Sequence, residues 1–416
     1  MKTNILIRIA ALGALLLSAA ACVFPYEVEL EPIDDRPLVI EGDIHIGGMT
    51  CIQLSRLVPV DAIFLPSTNY GLNDYTSSYH NPSIYDYPFD YARGTIIGED
   101  GSAVEGETLN YYRDKTELTF DTSHLRKDQR YRLHLEVKML ENEEISIYET
   151  DWITVNPEPV IDALTFDKND DFKELWIRLS MHCNGSHYFR WNYVEEWEYH
   201  SDIQTSLTYD PWTQEVGYYK GPSLYYCWDR AASSQIHTFS TAYQTDDRFE
   251  DLSFHTVPLS DIRLQVMYRV TITLTSMSKD AYAYWENVRK NTEGQGSILA
   301  PTPSQMASNL RCVTDPSARV IGYVDACSDV TGSVVYDDGL YQYYNPGTRP
   351  GIEMQYASND PDSSDSMYKM GYLPVAAVYG MFGTIESYAW APSSCVDCRL
   401  RGGSKEVPQN WPSGHN

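Results

Sequence analysis

The sequence predicts a mainly β protein: an N-terminal immunoglobulin- or fibronectin-like β-sandwich followed by a larger β-rich domain with one clear helix. Three observations support this class. The chain contains 33 Tyr and 9 Trp, and aromatic residues favour strands. Turn-forming residues are scattered along its whole length. Several short segments alternate apolar and polar residues, as strands with one buried face do.

The N-terminus has the layout of a secretory signal peptide. Residues 1–21 carry two cations, an apolar run from Ile5 to Leu17 and a stretch of small residues at the end. Cys22 follows directly and is predicted to be the lipidated cysteine of a bacterial lipoprotein. Ala19 stands where such signals usually have Leu, so the alternative is an ordinary signal peptide that is cut beside an incidental cysteine.

Residues 22–37 are predicted to be an extended acidic tether from the lipidated cysteine. Its acidic residues resemble the surface-export signals of Bacteroidota lipoproteins. No later segment has the roughly 18 consecutive apolar residues that a membrane-spanning helix needs, whereas two or more acyl chains give stable attachment. We therefore expect a protein that is anchored by lipid to the outer membrane, with the bilayer as a partner, and that faces outward.

The chain is strongly acidic. Its formal charge is −27, and loss of Lys2 and Arg8 with the signal peptide makes this −29. Such a charge repels nucleic acid and bare anionic lipid. The sequence therefore excludes both classes of partner.

Residues 38–156 are predicted to form the sandwich. A strand opens it at residues 38–44, residues 95–101 end in an Asp-Gly hairpin turn, and apolar residues alternate over residues 131–137. Several short strands over about a hundred residues are typical of such a sandwich. The insertion at residues 61–93 is either a contact surface or an exposed loop.

A Pro-Glu-Pro sequence at residues 157–159 marks the boundary with the second domain, residues 157–416. Asn184-Gly185 predicts a hairpin, and residues 268–274 alternate as a strand. Ser278 is predicted to cap a helix whose apolar residues recur at spacings of three and four. Residues 375–379 are either a buried strand or a helix fragment.

Aromatic residues are dense between Trp197 and Trp228. Such side chains can stack on sugars or contact peptides, although they more often fill a β-rich core. The candidates for ligand contact are Trp197, Tyr199, Trp212, Tyr218 and Tyr219.

The second domain resembles a known family. The resemblance is carried by Cys227-Trp228, the strand and helix at residues 268–288, Gly296–Leu299, Pro301-Thr302-Pro303, Ser308–Leu310, Val320–Tyr323, Cys395-x-x-Cys398, Gly402-Gly403 and Pro408-x-x-Trp411. This ordered set is similar to the domain of unknown function 4249 family of Bacteroidota lipoproteins, over nearly the whole mature chain. Members are often found beside TonB-dependent receptors, so the resemblance implies a surface accessory role in nutrient uptake. It implies no reaction and no catalytic residues.

The chain has eight cysteines, so lipidation of Cys22 leaves seven and at least one free thiol. We expect Cys51, in a buried strand, to be unpaired. Cys395-x-x-Cys398 is a redox pair, half of a zinc site or part of a structural disulfide. Without a thioredoxin-like context or a second closely spaced pair, we favour disulfides. The expected partner of Cys227 is Cys395 or Cys398, and Cys312 and Cys327 are further disulfide candidates.

The sequence predicts no metal site, no cofactor and no catalytic residues. The ten histidines form no paired zinc motif. The acidic runs at residues 167–171 and 359–365 lack the glycine and distal glutamate of a calcium loop, and are expected to be solvated loops.

The predicted function is therefore non-catalytic, that of an accessory binding subunit of a TonB-dependent nutrient-uptake system. One alternative is a structural component of an outer-membrane protein assembly complex. Another is a peptide or glycan hydrolase, which would need a pocket that carries two carboxylates.

Overall fold

A computed structural model describes residues 37–56, 89–112, 115–139, 144–168, 173–293, 308–337 and 352–412. The predicted signal peptide, Cys22, the predicted tether up to residue 36 and residues 61–88 of the insertion lie outside this part of the chain. Of the described residues, 54% are in strands and 11% in helices, which confirms the mainly β class. None of the helices among these residues has the length and apolarity to cross a membrane.

The described part of the chain contains 26 strands and three α-helices. The strands are β1 Leu38–Glu41, β2 Ile44–His45, β3 Met49–Arg56, β4 Phe89–Gly98, β5 Ala103–Glu105, β6 Glu107–Tyr112, β7 Lys115–Asp121, β8 Arg130–Met139, β9 Ser146–Thr150, β10 Ile153–Thr154, β11 Val160–Lys168, β12 Glu174–His182, β13 Tyr188–His200, β14 Leu207–Asp210, β15 Glu215–Tyr218, β16 Tyr226–Ala232, β17 His237–Ser240, β18 Arg248–Pro258, β19 Met267–Ser276, β20 Leu310–Cys312, β21 Val320–Tyr323, β22 Ala326–Cys327, β23 Asp329–Tyr336, β24 Gln355–Ser358, β25 Tyr372–Tyr379 and β26 Ile385–Pro392. The helices are α1 Lys279–Glu293, α2 Pro361–Lys369 and α3 Ser393–Val396.

The first core lies between two sheets. One has the strand order β21-β1-β3-β7-β6, and the other has the order β20-β9-β8-β4-β5 with β10 beside β8. Inward residues of both sheets share one buried cluster, with Ile40 and Phe120 from the first sheet and Ile96 and Leu133 from the second. The alternation predicted for residues 131–137 is present, because every second side chain of β8 points into this cluster.

Residues 310–327 return to this first core after residues 160–276 have formed most of the second half, which we define as the two sheets that contain β11–β13, β16–β19 and β23. β21 pairs in parallel with β1, β22 pairs in parallel with β2, and β20 pairs with β9. Leu310 and Val324 are buried in the same cluster as residues 38–155. The boundary at residues 156–157 stays a prediction, but the first core is completed by a segment from far beyond it.

A second pair of sheets packs in the same way. The sheet β11-β12-β18 faces the sheet β16-β13-β19-β23, which also carries β17 beside β13. Ile177 and Met181 of β12 meet Val270 and Ile272 of β19 in two adjoining buried clusters. β19 is thus the predicted strand at residues 268–274, with its apolar side chains inside.

The predicted helix is α1. Its first turn is capped as expected, because the backbone N–H of Ala281 donates to Ser278 Oγ at 3.2 Å. Ala281 and Tyr284 are buried, whereas Trp285 and Val288 are half-buried. The predicted apolar stripe is therefore the side of the helix that packs against the rest of the protein. Gly294 lies outside the described residues.

A smaller sheet, β24-β26-β25, packs with α2 and the hairpin β14–β15 around Tyr209, Tyr388 and Trp390. The expected solvated loop at residues 359–365 is wrong in part, because α2 begins there. Asp360 caps it by accepting from the N–H of Ser363 at 2.9 Å. Pro361 lies at the start of the helix, where proline is favoured because the N–H it lacks would have no partner within the first turn.

Two further predictions need correction. Asn184 and Gly185 do form a turn with positive φ angles of 53° and 83°. However, β12 and β13, which they join, belong to different sheets, so the turn is not a hairpin. Residues 375–379 form a strand within β25, but they are half-buried or exposed, because one side of this edge strand faces solvent.

Gly322 allows the return of residues 310–327 to the first core. Its φ of +130° is rarely adopted by residues with a side chain, and a Cβ there would lie 1.9 Å from the carbonyl oxygen of Ile40 in β1. The parallel pairing of β21 with β1 therefore requires glycine at this position.

Glu195 forms a buried ionic cluster in the second half. Its Oε1 accepts from Tyr268 Oη at 2.7 Å, from Arg263 Nη1 at 2.6 Å and from His255 Nε2 at 3.0 Å. Burial raises the pKa of Glu195, but the hydrogen bonds from His255 and Tyr268 and the charge of Arg263 outweigh it, so the net shift is downward.

Gly322→Ala is expected to lower the unfolding free energy by about 2–3 kcal/mol, because it combines a strained φ with a clash against backbone. Chemical denaturation of the purified mature protein measures this. Gly48→Ala is the matched control, since a Cβ at Gly48 meets nothing within 4 Å and its φ is ordinary. Equal unfolding midpoints for both variants would contradict the β1–β21 pairing.

Glu195→Gln is expected to cost roughly 2–3 kcal/mol at neutral pH, because hydrogen bonds to a charged group are lost. A lowered folded-state pKa stabilises the protein above the unfolded-state value, about 4.5, and this stabilisation is lost as the pH falls through the folded-state pKa. Denaturation midpoints of both proteins should therefore converge in acid. Glu250→Gln, at an exposed side chain in the same half, should change little at any pH.

Candidate functional site

A disulfide joins the C-terminal segment to the sheet β16-β13-β19-β23, which we call the central sheet. Cys227 in β16 is bonded to Cys398, with their Cα atoms 5.8 Å apart. Both residues are fully buried. Tyr199 Oη also donates to the carbonyl oxygen of Cys398 at 3.1 Å. Of the two partners expected for Cys227, the structure has Cys398.

The other disulfide candidates carry free thiols. Cys395 lies on α3 beside Asp202. Cys312 lies in the first core with its Sγ 3.3 Å from Thr314 Oγ1. Cys327 is on β22, where its Sγ faces His45 Nδ1 at 3.7 Å. The three thiols lie in three different surroundings, so they do not form the further disulfides for which the sequence made them candidates.

Cys51 is free, as expected, but it is not buried. It lies on β3 at a position that points away from the first core, whereas its neighbours Thr50 and Ile52 are buried. The sequence therefore predicted the strand correctly but assigned Cys51 to its buried side, whereas Cys51 lies on the exposed side.

The five aromatic candidates divide into two groups. Trp197 and Tyr199 lie on the central strand β13 and are only 8% and 2% exposed, so they are core residues and are not presented to solvent. Trp212 and Tyr218 lie on the hairpin β14–β15 and are 95% and 72% exposed. Tyr219, directly after β15, is half-buried.

Two adjacent hairpins present large apolar side chains to solvent. We call this set the aromatic surface: Trp212 and Tyr218 on β14–β15, and Tyr379, Met381 and Phe382 on β25–β26. Met381 and Phe382 are 92% and 91% exposed. The hairpins meet around Tyr388, whose pKa is raised by burial and by the phenols of Tyr379 and Tyr218.

Each hairpin tip contains a hydrogen-bonded turn. The Trp212 N–H donates to Asp210 Oδ1 at 2.8 Å, which is a local turn that Asp favours. Around Met381 and Phe382, the N–H of Gly383 donates to the Gly380 carbonyl at 3.0 Å. The sequence signal that could have identified this second tip is two large apolar residues between two glycines.

A pocket of about 510 Å³ lies where the C-terminal tail crosses the central sheet. It is lined by Glu196, Trp228, Asp229, Arg230, Arg269, Ser404, Glu406, Val407, Pro408, Gln409 and Asn410. Three of these residues carry carboxylates and two carry guanidinium groups. This tail pocket was not predicted, because its walls come from β13, β16, β19 and the tail.

The tail is held over the sheet by directional contacts. The backbones of Trp228 and Ser404 exchange two hydrogen bonds of 2.9 and 2.7 Å. Arg269 pairs with Glu196 at 2.7 Å, donates to the Gln409 carbonyl at 2.9 Å and lies over the ring of Trp411. These contacts occupy one guanidinium and one carboxylate of the pocket.

Lys405 lies next to the pocket and to the disulfide. Its Nζ is 3.2 Å from Cys398 Sγ and also contacts the Tyr226 carbonyl. Burial lowers the pKa of Lys405 to about 8 despite the nearby charge of Asp397. Part of the Lys405 population is therefore neutral in mildly alkaline solution.

Comparison with known proteins gives one family match. The model of DUF4249, a domain of unknown function, matches residues 23–333. The match covers the motifs from Cys227 to Tyr323, whereas Cys395-x-x-Cys398 and Pro408-x-x-Trp411 lie beyond it. No curated protein matches.

One similar solved structure is a DUF4785 family protein from Legionella pneumophila subsp. pneumophila str. Philadelphia 1, with 12% sequence identity and a TM-score of 0.19. The alignment covers 56% of this chain and 51% of the Legionella protein, so this chain matches about half of the length of that protein. The DUF4249 match, by contrast, takes in well over half of this chain. The chain therefore belongs to the domain of unknown function 4249 family.

Proposed function

We propose that this protein is a non-catalytic accessory binding subunit of a TonB-dependent nutrient-uptake system, anchored to the outer membrane by acyl chains on Cys22. The observation that carries the proposal is the aromatic surface. Its residue types, Trp, Tyr, Phe and Met, are those enriched at protein interfaces. Side chains such as Trp212 and Phe382 that are more than nine-tenths exposed gain most from burial against a partner.

The hydrogen-bonded hairpin tips support a role in binding. Asp210 and Gly380 hold the two turns before any partner arrives. A surface that is ordered in advance loses less conformational entropy on association, so more of its contact energy appears as affinity. The occupant that we propose is the outer-facing part of a TonB-dependent receptor.

The anchor is supported by the sequence alone. The pattern of residues 1–22 is that of a lipoprotein signal, and the family match begins at residue 23, directly after the acceptor cysteine. Outward orientation and location in the outer membrane follow from the acidic tether and from the resemblance, and they are part of the proposal.

A hydrolase is the second candidate, because the tail pocket gathers three carboxylates. Glu196 is already engaged by Arg269 at 2.7 Å, which leaves Asp229 and Glu406. Arg269 contacts both Glu196 and the Gln409 carbonyl and so holds the tail against the sheet. This arrangement suits a structural role better than an active site, which must open to release its product. We therefore rank binding above hydrolysis, and an assembly component remains the alternative partner class.

Replacing both Trp212 and Phe382 by Ala is expected to reduce recovery of a receptor at least about tenfold in a detergent pull-down from the native membrane, because buried aromatic anchors dominate interface energy. Tyr243→Ala is the matched control, since Tyr243 is fully exposed but outside both hairpins. Undiminished recovery by the double variant would refute the docking surface. Co-purification of barrel-insertion proteins in place of a receptor would refute the uptake role.

Cys22→Ser is expected to abolish metabolic labelling with palmitate and to move the protein out of the membrane fraction, because the acyl chains supply the membrane affinity. Cys51→Ser, at an exposed thiol, should keep both the label and the membrane fractionation. Persistent labelling of the Cys22→Ser protein would contradict the proposed anchor.

A further inference from the structure

Three potential metal ligands meet where the first core touches the second half. β2 and β22 pair in parallel, with His45 directly beside Cys327. Asp43 precedes His45 by two residues and so lies on the same side of an extended chain. A carboxylate oxygen of Asp43, a ring nitrogen of His45 and Cys327 Sγ all lie within 4.8 Å of one another.

Oxygen, imidazole nitrogen and thiolate sulfur are the donors that zinc accepts. Ligand atoms around a tetrahedral zinc ion are about 3.5 Å apart, and Cys327 Sγ already lies 3.7 Å from His45 Nδ1. Rotations of side chains alone can therefore bring the three donors to coordination distance. Asp329 supplies a further oxygen, since its Oδ2 lies 3.0 Å from His45 Nδ1.

The charges around these donors point to a cation. Asp43 and Asp325 are only 3% and 2% exposed, and Asp329 contacts His45. The one guanidinium that the described residues place in contact is Arg190, whose Nη2 lies 2.6 Å from Asp43 Oδ2. Three carboxyl groups, those of Asp43, Asp325 and Asp329, thus lie near one guanidinium and one imidazole, and a buried carboxylate is costly unless its charge is compensated.

Arg190 contacts Asp43 through Oδ2 and stacks over Trp285 at 4.5 Å, so it approaches from the side of the second half. The N–H of Asp325 donates to Asp43 Oδ1 at 3.2 Å, and each carboxylate oxygen keeps a second lone pair that an ion can use. Cys327 closes the inner end and is fully buried. His45 and Asp329 form the outer end, where their side chains are 26% and 33% exposed and give an entry path from solvent.

We propose that Asp43, His45 and Cys327, with Asp329 as the fourth donor, form a binding site for Zn²⁺. Binding converts the thiol of Cys327 to a thiolate, and its proton is released to solvent. The ion joins the segment between β1 and β2 to β22 in the first core and, through Asp329, to β23 of the second half, so it stabilises the junction between the two halves.

The test uses the detergent-purified mature protein with a histidine-free tag and with Cys51→Ser throughout, so that the exposed thiol cannot bind metal. After removal of metal by a chelator, we expect about one Zn²⁺ per chain in competition with a chromophoric chelator. We also expect that Co²⁺ in its place gives visible bands of tetrahedral geometry and a near-ultraviolet charge-transfer band that requires a thiolate.

Cys327→Ser and His45→Gln are each expected to weaken zinc binding at least about 100-fold, since even residues that only support metal ligands cost up to that much. Cys312→Ser is the matched control, because Cys312 is also a buried free thiol but lies beside Thr314. It should leave both the affinity and the charge-transfer band unchanged.

Thermal unfolding keeps the test decisive if a variant folds poorly. Zn²⁺ should raise the unfolding temperature of the parent and of the Cys312→Ser protein, because a ligand that binds only the folded state stabilises it. No saturable zinc binding by the folded parent, or a cobalt spectrum without a thiolate band, would overturn the proposal. So would a charge-transfer band that survives in folded Cys327→Ser protein.

Discussion

The buried ion pair between Arg190 and Asp43 is the contact on which the arrangement of the chain depends. It joins the link between β1 and β2 to the central strand β13 at 2.6 Å. The N–H of Asp325 donates to the same Asp43 carboxylate, and Asp325 accepts from the N–H of Ser278, where α1 begins. The first core, the central sheet and the long helix therefore share one polar cluster, in which the loss of a single partner leaves a buried charge uncompensated.

A second set of constraints holds the C-terminus, and it acts on the same central sheet. The disulfide fixes Cys398 to β16, Trp411 Nε1 donates to the fully buried Glu198 at 2.8 Å, and Arg269 contacts the tail backbone. The small sheet with the aromatic surface is thus attached at both ends, by β14 before Cys227 and by α3 just before Cys398. Attachment to rigid elements at both ends favours a defined geometry for the aromatic surface.

Sequence patterns predicted strands and helices correctly where a single physical rule determines the element. The alternation in β8 and β19 and the capped stripe of α1 are set by burial of one face, and the sequence records that directly. Long-range pairing is different: Asn184-Gly185 fixes a turn but cannot choose which sheet each flanking strand joins. Trp197 and Trp212 are the same residue type, and they differ because β13 is a central strand while β14–β15 is a two-stranded ribbon. Only the sheet order separates the core residue from the exposed one.

The cluster of Asp43, His45 and Cys327 could not be predicted from the sequence for the same reason. The spacing of Asp43 and His45 places both on one side of a strand, but the third donor is 282 positions away from His45 in the chain and arrives only through the parallel pairing of β22. All three residues lie within the matched family segment, residues 23–333, whereas Met381, Phe382 and the tail lie outside it. The proposed zinc site at residues 43–45, 327 and 329 therefore lies entirely within the matched segment. The half of the aromatic surface on β25–β26 and the tail side of the tail pocket come from the chain beyond residue 333.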